Sequence, residues 1–562
     1  MAAKALAANS PTYFFEPGQT YSGPPLLTAD SPASRRYAKP TNYLDKPDAI
    51  VIGSGIGGLG IASLLAQKKG MRVLVLEASP VPGGCTHCLE EGGFEFNSGI
   101  DSVGDMDPRV GRGLNRETVD LVTKGTFQWA RMPDAHEVVT FGDERFEWYS
   151  SPEKNIEWVE RLFPNQGDVR GYYRLEDKVE KGSTGWGVSK VLPDWVPEFA
   201  REQVFRLIGS GWREYMHKRA WDVFTKELGF SDKLAAVFSY MYGNHGKTPR
   251  DVSFGVHAIT MYHYRHGAYY PVGGPAQVVE CIVPIVQAAG GQVAVRSGVA
   301  KILVENGKTA GVQLESGEEI RCPLVISDAS AYTTFNELVD REVAEKSGYL
   351  ELFQRVNPSP AHIHLMLGYD EVLDLPKHIT WAMPSTDAVG KYDIDAADVL
   401  YKSKVDFGAA GVYLLSPSAR DPVYQQRYPG KSTVIALAEA PMEWVTRARQ
   451  DKAFWHELEG KAREGLLKVV NRYLPGTRGK VPKVNVVKLP AGCNPRAWGG
   501  CSYGIEGSGP RFVDFTHQLR HKTRIPGLYL TGQDAMAPGF AGSIVSARVA
   551  YTAITGDLLF MM

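Results

Sequence analysis

Cysteine is scarce in this chain. Six thiols, Cys85, Cys88, Cys281, Cys322, Cys493 and Cys501, are spread over 562 residues, and only the first two lie close together. A disulfide framework of the kind that staples small secreted domains is thereby excluded, and a reducing compartment is the default. An excess of charge is missing too: the formal net charge is -1, so the molecule as a whole has no surplus of cations to release counterions from nucleic acid. No apolar run approaches the roughly eighteen residues of a membrane span. Met1 to Ala8 is short and gives way to polar, Pro-rich sequence, unlike a secretory signal. The expected location is intracellular, with a plastid or the endoplasmic reticulum and peripheral membrane contact left open. A nucleophile elbow, a P-loop and an H-E-x-x-H zinc motif are all absent, and no metal site is expected.

What is present is an ordinary globular composition, 43% apolar and 22% charged, in a chain long enough for two or three domains of roughly 150 residues. Residues 1–47 are rich in Pro, Ser, Ala and Tyr and read as an extended leader that wraps the body or stays mobile. Ala49-Ile50-Val51-Ile52 then forms a short apolar run ending at Gly53, the pattern of a buried parallel strand. From Gly57 the period becomes helical, with Leu59, Ala62, Leu65 and Ala66 on one face and Gly70 as the stop. Arg72 to Leu76 is a second buried strand. Further on, helical spacing runs from Val204 to Leu228, and Gln277 to Ala289 is a helix. Gln292 to Val304, broken at Gly298, precedes a meander of short strands at 311–315, 319–322 and 324–326. Strands are expected at 361–367 and 432–438, a helix at 454–473, and a last buried strand at 527–531 before an Ala-rich helix.

Gly53-Ser54-Gly55-Ile56-Gly57-Gly58 matches G-x-G-x-x-G inside a complete strand–helix–strand unit, and the second strand ends in Glu77, followed by Ala78. Gly53 permits the tight turn, Gly55 lets the backbone approach a pyrophosphate, and Gly58 lets the helix pack close to the strand. The helix N-terminus, around Ile56 and Gly57, offers free N–H groups and partial positive charge to phosphates, while Glu77 can accept from a ribose diol. Three observations favour FAD over a nicotinamide cofactor: the glycine pair Gly83-Gly84, the lack of a second G-x-G-x-x-G, and the distant strand end Thr531-Gly532-Gln533-Asp534 before Gly539 and Gly542.

Those pieces resemble the phytoene desaturase-related flavoprotein superfamily, in the branch that contains retinol saturase and carotenoid isomerase. The resemblance is carried by residues 51–58, by Leu74-Val-Leu-Glu77 with Gly83-Gly84, by Tyr270-Pro-Val-Gly-Gly274, and by Gly527-Leu-Tyr-Leu-Thr-Gly-Gln-Asp534. Tyr503-Gly-Ile-Glu506, Arg511-Phe512 and Lys522-Thr523 are closer to the retinol saturases. The resemblance implies an α/β fold in which a Rossmann-type FAD-binding domain is interleaved with an α+β substrate domain bearing a helical, aromatic-rich cap. The expected division is a leader at 1–47, FAD-binding parts at 48–110, 271–350 and 481–562, and substrate parts at 111–270 and 351–480. It further implies that Asp534 serves the ribityl or pyrophosphate region and that Val299 and Ala300 lie near the adenine. Phe540 to Ile544 would lie against the flavin, with the following helix aimed at its pyrimidine end.

The activity so implied is that of an FAD-dependent oxidoreductase or isomerase on a lipophilic conjugated polyene. Retinoids, carotenoids and polyunsaturated fatty acids are the substrates it brings into view. An amine or protoporphyrinogen oxidase-like enzyme and a non-catalytic flavin or carotenoid carrier are the alternatives. Tyr503 and Glu506 are the candidate catalytic groups. Cys85-Thr-His-Cys88 has two readings, a redox dithiol beside the flavin or small residues packed near it. His257, His263 and His266 read as pocket wall or core, and His362 and His364 as structural residues on one strand face. The aromatics of 190–245, interleaved with Arg201, Arg206, Arg213, Lys218 and Arg219, form either plain core or an interfacial cap over an apolar tunnel.

Overall fold

The computed structural model describes residues 14–16, 18–192, 195–384, 389–489 and 498–559; Cys493 and the first thirteen residues of the leader lie outside them. Five short strands form an all-parallel sheet in the order Leu528–Leu530, Val325–Ser327, Ala49–Ile52, Val73–Leu76, Gln292–Ala294. Ala49–Ile52 and Val73–Leu76 are buried along their whole length, which is why they read as unbroken apolar runs rather than alternating ones. The helix Ile56–Lys69 follows the first strand and stops at Gly70, whose φ of 63° closes the last turn. It packs against the C-terminal helix Gly539–Thr555 so closely that a Cβ on Gly60 would stand 2.9 Å from Ala547 Cβ.

One expectation fails here. The apolar stretch at 324–326 does not belong to the meander, which closes with Glu319–Arg321 after Val299–Glu305 and Lys308–Leu314. Val325–Ser327 instead enters the parallel sheet between the first and last strands, pairing Ile326 with both Val51 and Tyr529. Its carboxyl end therefore points at the same crevice as theirs.

The second sheet has seven strands in the order Val484–Lys488, Ala361–Tyr369, Ser432–Ala440, Val412–Leu415, Ile379–Ala382, Ala135–Phe141, Glu144–Tyr149. All neighbours are antiparallel except Ile379–Ala382 with Ala135–Phe141. Register aligns His364, Leu437, Tyr413 and Trp381 in one row across four strands, and His362, two residues from His364, shares that face.

The helix Lys452–Tyr473 packs on this sheet, while Val169–Val191, Glu198–Ile208, Ser210–Met216 and Phe254–Tyr264 pack on one another. The helical period of 204–228 is real but broken: Ile208 ends one helix, Met216 ends the next, and Val223–Glu227 winds as a π-turn. The first break has a packing cause. Gly185 lies against Gly209, and a Cβ on Gly185 would come within 2.6 Å of Gly209 N. Most aromatics of this region are core, including Phe205, Trp212, Tyr215, Phe224, Phe238 and Tyr240. From Phe14 onward the leader lies on the body: Phe15 N donates to Trp129 O at 2.8 Å, and Arg36 pairs with Glu280 at 2.6 Å.

A buried ion cluster ties these parts together. Arg427, fully buried, donates to Glu95 Oε2 at 2.6 Å, Asp421 Oδ2 at 2.8 Å and Leu27 O at 2.7 Å. Asp421 Oδ1 also accepts from Gly273 N at 3.0 Å, so the leader, the strand Phe94–Asn97 and the Gly273-Gly274 turn meet at one guanidinium. Arg427→Met leaves two carboxylates buried without their cation, a loss of about 3–5 kcal/mol. A clearly lowered Tm in thermal unfolding is the expected result, and an unchanged Tm would contradict this account of the cluster.

Candidate functional site

A single cavity of about 1660 Å³ opens at the carboxyl ends of the parallel strands and continues over the face of the seven-stranded sheet. In open α/β sheets this crevice is where ligands bind. The volume exceeds the about 300–1,000 Å³ of an ordinary small-molecule site, which leaves room for two ligands end to end.

At the first end, Gly53, Gly55, Ile56 and Gly57 form the wall. Gly53 turns with a φ of 92°. A Cβ on Gly57 would stand 2.7 Å from Gly532 N, and one on Gly58 would stand 2.3 Å from Gly53 O. These two glycines thus serve backbone-to-backbone packing, and Gly58 lies behind the wall rather than in it. Gly55 differs, because its Cβ would enter open cradle and meet only the carboxylate tip of Asp328, at 2.4 Å. Gly84 lines the cavity beside it, while Gly83 forms the turn behind, bridged to Gly55. The cradle of amides at a helix start, lined by glycines that put no side chain into it, fits a dinucleotide diphosphate.

Glu77 and Ala78 stand on the wall at the next strand end. Glu77 Oε2 accepts from Ser54 N at 2.9 Å and Ser54 Oγ at 2.6 Å, and Oε1 accepts from Ser79 N at 2.7 Å. A carboxylate has about four acceptor positions, so one remains for a ribose hydroxyl. Val299 and Ala300 line the same end. Asp534 reaches the wall too, but its oxygens accept from Ile505 N at 2.9 Å and Ala331 N at 2.8 Å, so it fastens two loops to the last strand. Phe540 and Gly542 line the cavity at the start of the C-terminal helix, whose N-terminus carries no side-chain cap; Ile544 is in the core and Gly532 sits behind Gly57.

Beyond the glycine-lined end, the floor is the row His364, Leu437, Tyr413 and Trp381, with His362 and Tyr503 beside it. Burial pushes His364 down to about 3 and His362 down to about 4, so both rings are neutral. Nδ1 of His364 has no hydrogen-bond partner among the described residues, and Nδ1 of His362 faces Ser502 Oγ at 2.7 Å. These two histidines therefore line the cavity rather than act only inside the sheet. His263 lines it as well, held by Gly104 N, which donates to Nε2 at 2.8 Å, whereas His257 is buried behind. Asp101 was not anticipated. It lines the cavity, accepts from Asn97 Nδ2 at 3.2 Å, and burial pushes its carboxyl up to about 6.

The structure places two further sequence candidates as follows. Glu506 is not part of the cavity wall among the described residues: its carboxylate pairs with Lys247 at 3.0 Å. The backbone of its segment wraps Asp534, which turns the side chain outward. The dithiol reading loses support because only Cys85 lines the cavity, while Cys88 is buried with its thiol pushed well above the usual range by desolvation. A buried, protonated thiol is a poor nucleophile. Cys88→Ser is expected to leave turnover near normal; its abolition would revive the dithiol.

The parallel sheet, its glycine-bounded helix and the cavity at its carboxyl edge define a dinucleotide-dependent oxidoreductase. Residues 51–114 match the family described as NAD(P)-binding Rossmann-like domain. An all-trans-retinol 13,14-reductase of Danio rerio is 31% identical over 89% of this chain and 84% of its own length. The Homo sapiens protein of the same name is 30% identical over 98% and 92%. A phytoene desaturase (neurosporene-forming) of Cereibacter sphaeroides is 26% identical over 90% and 95%. The chain belongs to the phytoene desaturase-related superfamily, in the branch that contains the all-trans-retinol 13,14-reductases. A crystal structure of putrescine oxidase bound to putrescine shares the fold, with a TM-score of 0.55 at 13% identity over 92% of this chain and all of that one.

Proposed function

We propose that the protein is an FAD-dependent enzyme that acts on a double bond of a lipophilic conjugated polyene of the retinoid or carotenoid class, with saturation favoured. The reading rests on one observation above the others: the diphosphate cradle and the aromatic floor belong to a single continuous cavity. Its support from relatives is that those similar over nearly the whole chain are named retinol reductases and phytoene desaturases.

When bound, the flavin supplies two-electron chemistry at its ring system; the chain supplies everything else. The amides at Gly55 to Gly57 receive the diphosphate, and Glu77 the adenosine ribose. The uncapped start of Gly539–Thr555 would put helix-dipole charge beside a ring bound there, where it would favour the negative reduced form. Leu437, Tyr413 and Trp381 offer an apolar surface on which a planar polyene can lie, and neutral His362 and His364 offer polar contacts without charge. Burial raises the Asp101 carboxyl to about 6, so that below about pH 6 it carries a proton, which a saturation needs and an isomerisation does not. Adding retinol or a carotenoid to the flavin-loaded protein is expected to perturb the flavin absorption bands. Stoichiometric polyene binding with the flavin spectrum untouched would count against a shared cavity.

A lipophilic substrate also needs a way in. Trp195, Phe199, Leu207 and Ile208 are exposed, the first three by 82%, 72% and 81%. They lie on and beside the helix Glu198–Ile208, whose neighbour Trp212 lines the cavity. This apolar group is proposed to dip into a membrane face. Three of the cations interleaved with these aromatics are engaged within the protein: Arg206 and Arg213 both pair with Glu202 at 2.9 Å, and Lys218 pairs with Glu214 and Glu227 at 2.9 Å. Docking should therefore depend little on anionic lipid. Co-flotation with neutral phosphatidylcholine vesicles is expected for the native protein and is lost in Phe199→Asp/Leu207→Asp. Equal flotation of the two proteins, or binding only to anionic vesicles, would overturn it.

A further inference from the structure

Three carboxyl groups surround the cradle at the start of the first helix, and one of them sits inside it. Asp328 follows Val325–Ser327, the strand inserted between the first and last strands of the parallel sheet. Its side chain reaches across to the helix start, where the nearby amides of Gly55 and Gly58 favour its charged form. Its oxygens lie where Cβ atoms would fall: Oδ2 is 2.4 Å from that position on Gly55, and Oδ1 is 2.4 Å from that on Gly532 and 2.7 Å from that on Gly57. The carboxyl thus lies against the helix start, beside the space that a diphosphate would use.

We propose that Asp328 couples cofactor seating to protonation: entry of the diphosphate takes up one proton from solvent at Asp328, whose neutral carboxyl then donates a hydrogen bond to a phosphate oxygen. This rests on the FAD reading above and adds to it a binding residue and a pH dependence. The physical case is electrostatic. The charged groups facing Asp328 are Glu77, from the end of Val73–Leu76, and Asp534, from the end of Leu528–Leu530, both acidic. Arg511 stands beyond Asp534 and donates to the carbonyls of Ile505 and Gln533, not to Asp328. Two helix amides alone offset the crowding. Desolvation and these two neighbours raise the Asp328 carboxyl to about 8 even before an anionic ligand arrives. A diphosphate beside it disfavours the carboxylate further. A protonated carboxyl, unlike a carboxylate, has an O–H to donate.

The sign follows from linkage. Bound protein holds the proton to a higher pH than free protein, so affinity is flat below about pH 8 and falls as pH rises above it, by about tenfold per pH unit for one proton. The test uses the full chain freed of flavin, with FAD binding followed by flavin fluorescence and by calorimetry in two buffers of different ionisation enthalpy. The native protein is expected to lose affinity about fivefold between pH 8 and 9 and to take up about half a proton per FAD at pH 8, rising towards one at pH 9. Asp328→Asn keeps a donor without a charge and is expected to bind with a flat profile, more tightly than native protein at pH 9. Asp328→Ala should also be flat, but weaker than Asp328→Asn. Proton uptake of zero in the native protein, or the same pH slope in native protein and Asp328→Asn, would overturn the proposal while leaving FAD binding intact. If no variant binds FAD at any pH, the cofactor reading itself falls, and this inference with it.

Discussion

Gly55→Val is expected to yield a folded protein without flavin. The distinction lies in what a side chain meets. At Gly55 a Cβ meets only the tip of the Asp328 side chain, which can move, and otherwise projects into the cradle. The branched side chain then occupies the place of the diphosphate, so retention of cofactor is lost while the apo fold survives. Gly58→Ala is the control with the opposite outcome. Its Cβ meets Gly53 O at 2.3 Å, and a backbone oxygen inside a buried strand–helix turn cannot give way. Overpacking of this kind costs about 1–3 kcal/mol or more, so that variant should lose thermal stability first and flavin as a consequence. Flavin absorbance and Tm measured on both variants separate the two effects. A fully flavinated Gly55→Val protein would remove the diphosphate from this helix.

The second large effect is expected at Asp101. A saturation adds a hydride and a proton across the double bond, and Asp101 is the cavity carboxyl that burial brings up to about 6. The active form is the protonated one, so the saturation rate should fall as pH rises above about 6, approaching tenfold per pH unit. Asp101→Asn removes the proton and should lower kcat by about 10²–10⁴-fold, and what remains should no longer follow that pH profile. Flavin content and Tm should stay near native, since the carboxyl's one side-chain donor, Asn97, pairs equally well with an amide oxygen. A variant with native kcat and the native pH profile would exclude Asp101 as the proton donor.

The cofactor half of the site was legible in the sequence because its information is local. Gly53 to Gly58 are flanked within thirty residues by the two strands that give the motif its meaning, and the turn at Gly53 and the close packing at Gly58 are seen as read. Asp328 was missed for a non-local reason. Val325–Ser327 is three residues long, like Glu319–Arg321 just before it, and nothing in its composition tells a meander strand from a parallel one. Only its pairing with Ala49–Ile52 and Leu528–Leu530, hundreds of residues away on either side, makes Asp328 a crevice residue. Had that strand been assigned to the sheet, the residue after it would have been a candidate by the same rule that found Glu77 and Asp534.

The substrate half was less legible because its face is assembled by register. His362 and His364 share a strand face from alternation alone, but that this face floors a cavity depends on the row through Leu437, Tyr413 and Trp381. Glu506 shows the converse. It is three residues from Tyr503, yet the segment bends around the Asp534 carboxylate and sends it to Lys247. In the cap, hydrophobic period identified helices, while the contact of Gly185 with Gly209 that breaks them is visible only in three dimensions. Aromatic content likewise did not separate buried Trp212 from exposed Trp195.

The central claim is that a reduced flavin and a conjugated polyene meet in one cavity. Its most direct test is the mass and retention time of retinoids and carotenoids recovered after incubation with the flavin-loaded protein and a chemical reductant. The account predicts that one of them gains two hydrogen atoms in the native protein, and that this product disappears with Asp101→Asn. Recovery of every polyene unchanged in mass and in geometry, from protein whose flavin is bound and reducible, would contradict it.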